Sequence, residues 1–249
     1  MSTGLATWRA GAGRCREIVR GIRNNFRYSN GLRLNFQRLF RRSAAEVVYV
    51  WDNRIRIACD CGRGEHFGVH EVFTERCYAP HLERCRFEGN RVRYVDVGAN
   101  VGAFGLGLLA RGLVIEGAVA AELNPATAAR CRRNVERNGL AAAVRVVNCG
   151  VAGSDGWIDF APSAHALGDN IFHAATEAAG QRVELLSLPT LLQRHAGGRS
   201  EFDLLKLDCE GAEYEILRMT PAEVLRGFRY LIVEFHAEPA GESLAAVMN

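Results

Sequence analysis

Lysine is almost missing from this chain of 249 residues: 30 of its 31 basic side chains are arginine, and the one lysine is Lys206. A chain that uses arginine everywhere else places a compact ammonium where a planar guanidinium fork would not serve. No run of eighteen apolar residues is present, so no membrane-spanning helix is expected. None of the eight cysteines forms a C-x-x-C pair. Cys59, Cys61, Cys77 and Cys85 lie near one another in sequence, but a C-x-C spacing without a second pair does not describe a zinc site. Reduced, mostly buried thiols are the expectation, in a cytoplasmic protein. The opening stretch, MSTGLATWRAGAGRCREIVRG, has no apolar core of the kind a secretory signal carries. A net charge of +3 gives no reason to expect a nucleic-acid partner.

What is present is enough apolar content, 48%, for one globular domain with an appendage. Met1 to Arg56 holds twelve arginines against Glu17, Glu46 and Asp52, which reads as a basic, solvated helical face. The alternative is a docking surface for an acidic partner or a membrane surface. VVYVW (Val47 to Trp51) and RIRIACDC (Arg54 to Cys61) flank the turn pair Asp52-Asn53 and predict a hairpin. The expected division is a helical and hairpin extension over 1–90 and a ligand-binding domain over 91–249.

The stretch RYVDVGANVGAFG, Arg93 to Gly105, organises the rest. Val95 and Val97 around Asp96 read as a buried strand, and Gly98, Asn100 and Gly102 break it before an apolar helix starts near Ala103. This strand, glycine turn and helix start lets backbone N–H groups approach a nucleotide-like ligand. The spacing Gly98-x-x-x-Gly102 matches neither the dinucleotide fingerprint nor the phosphate loop. Glu122 closes a second strand, Val119 to Leu123, 26 residues after Asp96, where an acid is placed to accept from ribose hydroxyls. A helix over Ala126 to Asn138 follows, with Gly139 as its stop. VRVVNCGVAG is the third strand, WIDFAP and RVELLSL are further strands, FDLLKLD the fourth of the repeat and RYLIVEF the fifth. The polar stretch between WIDFAP and RVELLSL is long enough to be a binding loop, which makes His165, Asp169, Asn170 and His173 substrate-side candidates.

VDVGANVG resembles the first motif of class I S-adenosylmethionine (SAM) methyltransferases. FDLLKLDCEGAEYEIL (Phe202 to Leu217) is similar to the D-x-x-K-x-D-x-E-G-x-E pattern of FkbM-type enzymes, and IVEFH (Ile232 to His236) is a third match. The resemblance runs from about Asp52 to Phe235. It implies an α/β fold, a doubly wound and mostly parallel Rossmann-like sheet, with SAM as cofactor. The implied cofactor-binding residues are Asp96, Gly98, Ala99, Asn100, Gly102, Glu122 and Leu123, with Asn148 and Cys149 where this fold meets the adenine. It also implies that GEHFGVHEVFTERCYAPHLE is a helix beside the cleft, ending near Pro80, so that His66, His70 and Glu71 could line the site. Residues 239–248 read as helical, and the sequence offers nothing for the family's sixth and seventh strands. The expectation is either a truncated chain or a five-stranded central sheet with an exposed edge that a partner could cover, which makes a homodimer reasonable.

Methyl transfer to a hydroxyl needs positioning and removal of a proton. The expected catalytic set is Asp208, Glu210, Lys206 and His236, with Glu234 nearby and Asp208 first choice for the base. Neighbouring carboxylates are expected to raise one another's pKa towards neutrality. Glu213 and Glu215 read as acids of a first helical turn. No metal site is predicted; magnesium on these carboxylates is the less favoured alternative. The expected reaction is O-methylation of a small hydroxylated acceptor, a sugar or secondary metabolite. The alternatives are N- or carboxyl-methylation of a small molecule or peptide, and a non-catalytic SAM-binding assembly module. Nucleic-acid N-methylation is disfavoured, because Asp208-Cys209-Glu210-Gly211 stands where [DN]-P-P-[YF] would be.

Overall fold

Alternation of apolar and polar residues around Asp52 and Asn53 makes the hairpin, and both turn residues take left-handed backbone, φ 49° and 54°. The computed structural model describes residues 19–40, 46–161 and 180–236. Residues 19–25 are helical and precede α1 (Gly31–Phe40). Strand β1 (Val47–Trp51) pairs antiparallel with β2 (Ile55–Cys59). The stretch expected to be one helix ending near Pro80 is broken instead. It forms α2 (His66–His70), a π-turn over Glu71–Glu75 and α3 (Ala79–Leu82), separated by Arg76 at φ 58°. That left-handed residue stops the helix and frees Tyr78 to point towards the sheet.

The Rossmann-like body follows in chain order: β3 (Arg91–Val97), α4 (Ala103–Ala110), β4 (Val114–Glu122), α5 (Pro125–Arg137) and β5 (Val144–Asn148). After β6 (Gly150–Ala152), β7 (Gly156–Phe160) and β8 (Gln181–Ser187) come α6 (Leu188–His195), β9 (Phe202–Leu207), α7 (Glu213–Met219), α8 (Ala222–Leu225) and β10 (Phe228–Val233). The central sheet has the order β10-β9-β3-β4-β5, and every pair in it is parallel. This is the doubly wound α/β architecture expected from the sequence, with apolar clusters on both faces. Strand order reverses between β3 and β9, so a crevice opens at their carboxyl ends.

Two local readings change. The second strand begins at Val114 rather than Val119. VRVVNCGVAG is not one strand: it divides at Cys149, and β6 leaves to pair in parallel with β8 in a separate sheet ordered β6-β8-β7. Among the described residues the central sheet has five strands. His165, Asp169, Asn170, His173 and the helix expected over 239–248 lie outside the described residues. No described helix is long and apolar enough to cross a membrane.

The extension is bound to the body by polar groups as well as apolar ones. Asn134 on α5, 0% exposed, donates to Ala58 O and Val101 O and accepts from Ala58 N–H. Glu65, also 0% exposed, takes Arg130 and Thr127 Oγ1. Each of these buried groups keeps its full set of partners only while hairpin and body stay together, and an unpaired buried group costs about 1–3 kcal/mol.

Among the described residues the group of three metal-ligand types that converges is Asp208, Glu234 and His236. Cys61 is unusual in its acidity. A hydrogen bond from the buried Cys59 thiol, assisted by His66, holds its pKa down to about 5 against the opposing effect of burial. Because the thiolate is the nucleophile, iodoacetamide at pH 6.5 is expected to alkylate Cys61 ahead of the more exposed Cys77. Peptide mapping across pH should place its midpoint near 5. A midpoint above 8 would show an ordinary thiol.

Candidate functional site

Val97 ends β3 and the chain turns at Gly98, φ +76°, whose N–H reaches Ala121 O at 3.0 Å. A Cβ there would sit 1.7 Å from Asp208 O, so only glycine lets the two strand ends approach. Ala99 N–H also donates to Ala121 O, at 2.9 Å. Asn100 takes φ 50° and sends its N–H to Glu122 Oε2 at 2.8 Å, while Glu122 Oε1 accepts from Asn124 N–H at 2.9 Å. The carboxylate at the end of β4 thus fixes the glycine turn as well as facing the cleft.

Asp96 and Lys206 are register partners across β3 and β9, which places their side chains on the same face. Lys206 Nζ donates to Gly98 O at 2.9 Å and forms ion pairs with Asp208 Oδ2 at 3.0 Å and Asp96 Oδ1 at 3.2 Å. An ammonium has three donors, and three oxygens converging on one point suit it better than a fork. Burial works against its charge, but Asp96 and Asp208 outweigh that and raise its pKa well above the ordinary lysine value. Asp96, 1% exposed, is pushed upward by burial, with Lys206 opposing.

Asp208 is the hub of the other half. Its Oδ2 accepts from Lys206 and from Tyr78 Oη at 3.0 Å, and its Oδ1 lies 3.5 Å from His236 Nε2. Burial would raise its pKa, yet Lys206 and Tyr78 hold it below the usual aspartate value. The expected upward push from neighbouring carboxylates therefore does not describe Asp208, because a buried lysine outweighs them. It does describe Glu210, raised first by burial, with His236 opposing and Asp208 and Glu213 adding to it. It describes Glu71 too, raised by burial and then by Glu234 and Asp208. Glu210 holds φ 62°, a left-handed conformation that costs a non-glycine residue about 1 kcal/mol or more. Glu213, read as a first-turn acid, is 0% exposed and accepts the N–H groups of Cys209 and Gly211, so it builds the turn that presents Glu210. His236 Nδ1 lies 3.1 Å from Glu213 and Nε2 3.8 Å from Glu210. Burial disfavours the charged ring, but Glu213, Glu210 and Asp208 prevail and raise the His236 pKa.

Gly98, Ala99, Asn100, Glu122, Lys206, Asp208 and Glu210 line one cleft, with Glu71 and Tyr78 across from them. Asp96 lies beneath that lining as the partner of Lys206. Gly102, φ +82°, begins α4, and Leu123 packs with Phe160 and Val183. Asn148 Nδ2 donates to the carbonyls of Glu122 and Leu123, and Cys149 is buried at 1% exposure. His70 packs tilted against Tyr28 and edge-on to Tyr49, with Nδ1 3.2 Å from Tyr28 Oη, and is not among the residues lining the cleft. Tyr78 escaped the sequence reading, because within one continuous helix nothing distinguished it from its neighbours. One ligand atom each from Asp208, Glu234 and His236 lies within 4.8 Å of the others, making these the described residues that could hold a metal. Lys206 already supplies Asp208 with positive charge.

Residues 96–248 match the family described as the methyltransferase FkbM domain. The chain is 27% identical over 203 residues to methyltransferase sdnD of Sordaria araneosa, covering 70% of this chain and 76% of that one. Among solved structures, the FkbM methyltransferase of Methylobacillus flagellatus aligns with a TM-score of 0.41 and 16% identity, over 58% of this chain and 32% of that one. An O-methyltransferase from Bacillus cereus, solved in complex with SAH, aligns with a TM-score of 0.29 and 16% identity over 62% of each chain. The chain thus spans about a third of the length of the first solved structure and most of the curated relative.

Proposed function

The chain belongs to the FkbM methyltransferase family, and from that premise we propose that it moves the methyl group of S-adenosylmethionine to a hydroxyl of a small acceptor, a sugar or secondary metabolite. The observation that carries this reading is the meeting, in one cleft, of the glycine turn held by Glu122 with the Asp208–Glu210 turn. The first half suits a nucleoside: an acid at the end of β4 for ribose hydroxyls and a turn with no side chain at Gly98. The second half suits an alcohol, with carboxylates on one wall and Tyr78 on the other.

When bound, SAM supplies an electrophilic methyl group, and the protein's part is position and proton removal. Asp208, anionic and gripped by Lys206 and Tyr78, orients the acceptor rather than taking its proton. Glu210 is the proton acceptor in this reading: its raised pKa makes it the stronger base, and the turn built on Glu213 aims it into the cleft. His236, whose pKa three carboxylates raise, limits how far Glu210 rises.

Calorimetric titration with S-adenosylhomocysteine (SAH) tests the cofactor half. Micromolar binding is expected, and Glu122→Ala should weaken it about 10- to 100-fold, as loss of a charged hydrogen-bond acceptor costs about 1.5–3 kcal/mol. Transfer of labelled methyl from SAM to a panel of sugars and phenols tests the acceptor half. Label reaching only amines or carboxylates would move the reading to N- or carboxyl-methylation. SAH binding without turnover on any acceptor class would favour an assembly module.

A further inference from the structure

Beside the polar cleft lies a second, apolar one. It has a volume of about 140 Å³ and runs between the extension and α4, walled by Trp51, Phe73, Leu82 and Phe104. An apolar cavity of this size accepts a benzene-sized group, as cavities of about 150 Å³ do elsewhere. Val72, Tyr78 and Phe104 belong to both clefts, so the two share one wall. Tyr78 shows how closely: its hydroxyl reaches Asp208 on the polar side at 3.0 Å, while its ring stands edge-on to Phe104 at 5.2 Å. A molecule whose hydroxyl met Asp208 would find the apolar space next to it.

The rim has one sign of charge. Arg76 and Arg111 are the charged residues of the pocket lining, and no carboxylate is among them. Arg76 is shared with Glu83 at 3.3 Å, both more than half exposed. Arg111, at the end of α4, makes no ion pair among the described residues. The polar cleft has the opposite balance, with Glu71, Asp208 and Glu210 around Lys206. Charge thus separates the two ends, carboxylates where the hydroxyl reacts and arginines where the apolar pocket opens.

We propose that this pocket seats the body of the acceptor, and that the acceptor is an amphiphile combining a reactive hydroxyl with a ring-sized apolar group and an anionic substituent. This rests on the methyl-transfer reading above and narrows its acceptor class: a bare sugar lacks the apolar group that the aromatic walls receive, and a cationic acceptor meets the arginines.

The test uses three probes of one shape, 3-phenylpropionate, 3-phenylpropanol and 3-phenylpropylamine, titrated into the full chain saturated with SAH. Quenching of tryptophan fluorescence and calorimetry are both read. The expected order is anion, then alcohol, then amine, with at least a tenfold span between first and last. Arg111→Glu, an exposed change that leaves the walls intact, should remove the anion's advantage, and Ala110→Phe should abolish binding of all three by filling the space. Equal binding of the three probes, or no change with Arg111→Glu, overturns the charge assignment and the proposal with it. No probe binding by a chain that still takes SAH overturns the pocket while leaving the methyltransferase reading in place. Failure to bind SAH sinks both.

Discussion

Replacing Lys206 with methionine should destabilise the protein by about 3–5 kcal/mol, the usual cost of stripping one partner from a buried charge cluster. Methionine is close in length, so the loss is not one of volume. It strands Asp96, which is 1% exposed and has Lys206 as its charge partner, and releases Gly98 O and Asp208 together. Lys206→Arg should also fail, because three oxygens around a single nitrogen cannot be met by a planar fork. Urea unfolding followed by circular dichroism measures both. The double change Lys206→Met with Asp96→Leu should recover part of the loss, since removing both partners of a buried pair is far cheaper than removing one. The sign of the pH dependence follows from the direction of the shift. A lysine raised in the folded state contributes stability fully below its unfolded value, about 10.4, and loses it only as pH climbs through the higher folded value. Stability from this contact should therefore be flat from pH 6 to 10. A loss below 1 kcal/mol for Lys206→Met would mean that Asp96 is solvated or protonated without it.

The single lysine was legible in the sequence as a demand for a compact ammonium, and the register of β3 with β9 supplies the reason. The succession of strands along the chain was legible too, because each glycine turn and each acid at a strand end belongs to a repeat short enough to read. Three things were not. The break at Arg76 depends on a left-handed residue that carries no signature, since arginine is not a residue that stops helices, and Tyr78 was hidden with it. The departure of β6 at Cys149 is decided by pairing with β8, more than thirty residues onward, which no local pattern records. The direction of the Asp208 shift required knowing that Lys206 lies 3.0 Å away and Tyr78 donates to the same carboxylate. Local chemistry was readable; the contacts that decide which acid keeps its proton were long-range.

That difference matters most for Glu210. Glu210→Gln keeps shape and hydrogen bonding but removes the proton acceptor, and kcat is expected to fall about 10²- to 10⁴-fold, the usual span for loss of a general base. Asp208→Asn should act differently: it weakens orientation and loosens Lys206 and Tyr78, so stability falls along with activity. The pH profile separates the two roles. Glu210 must be ionised to accept a proton, so kcat/KM should fall as pH drops through a value above the ordinary 4.5, and that acidic limb should vanish in Glu210→Gln. His236, raised above 6.5, should set an alkaline limb, since its deprotonation removes the cation between Asp208 and Glu210. The two groups interact, so the apparent values belong to the pair, and His236→Gln should move the acidic limb upward by withdrawing the charge that opposes Glu210's rise. If Glu210→Gln retained more than a tenth of wild-type kcat with an unchanged acidic limb, the base would lie elsewhere. Glu71, raised by burial and facing Glu234 and Asp208 across the cleft, would then be the residue to replace.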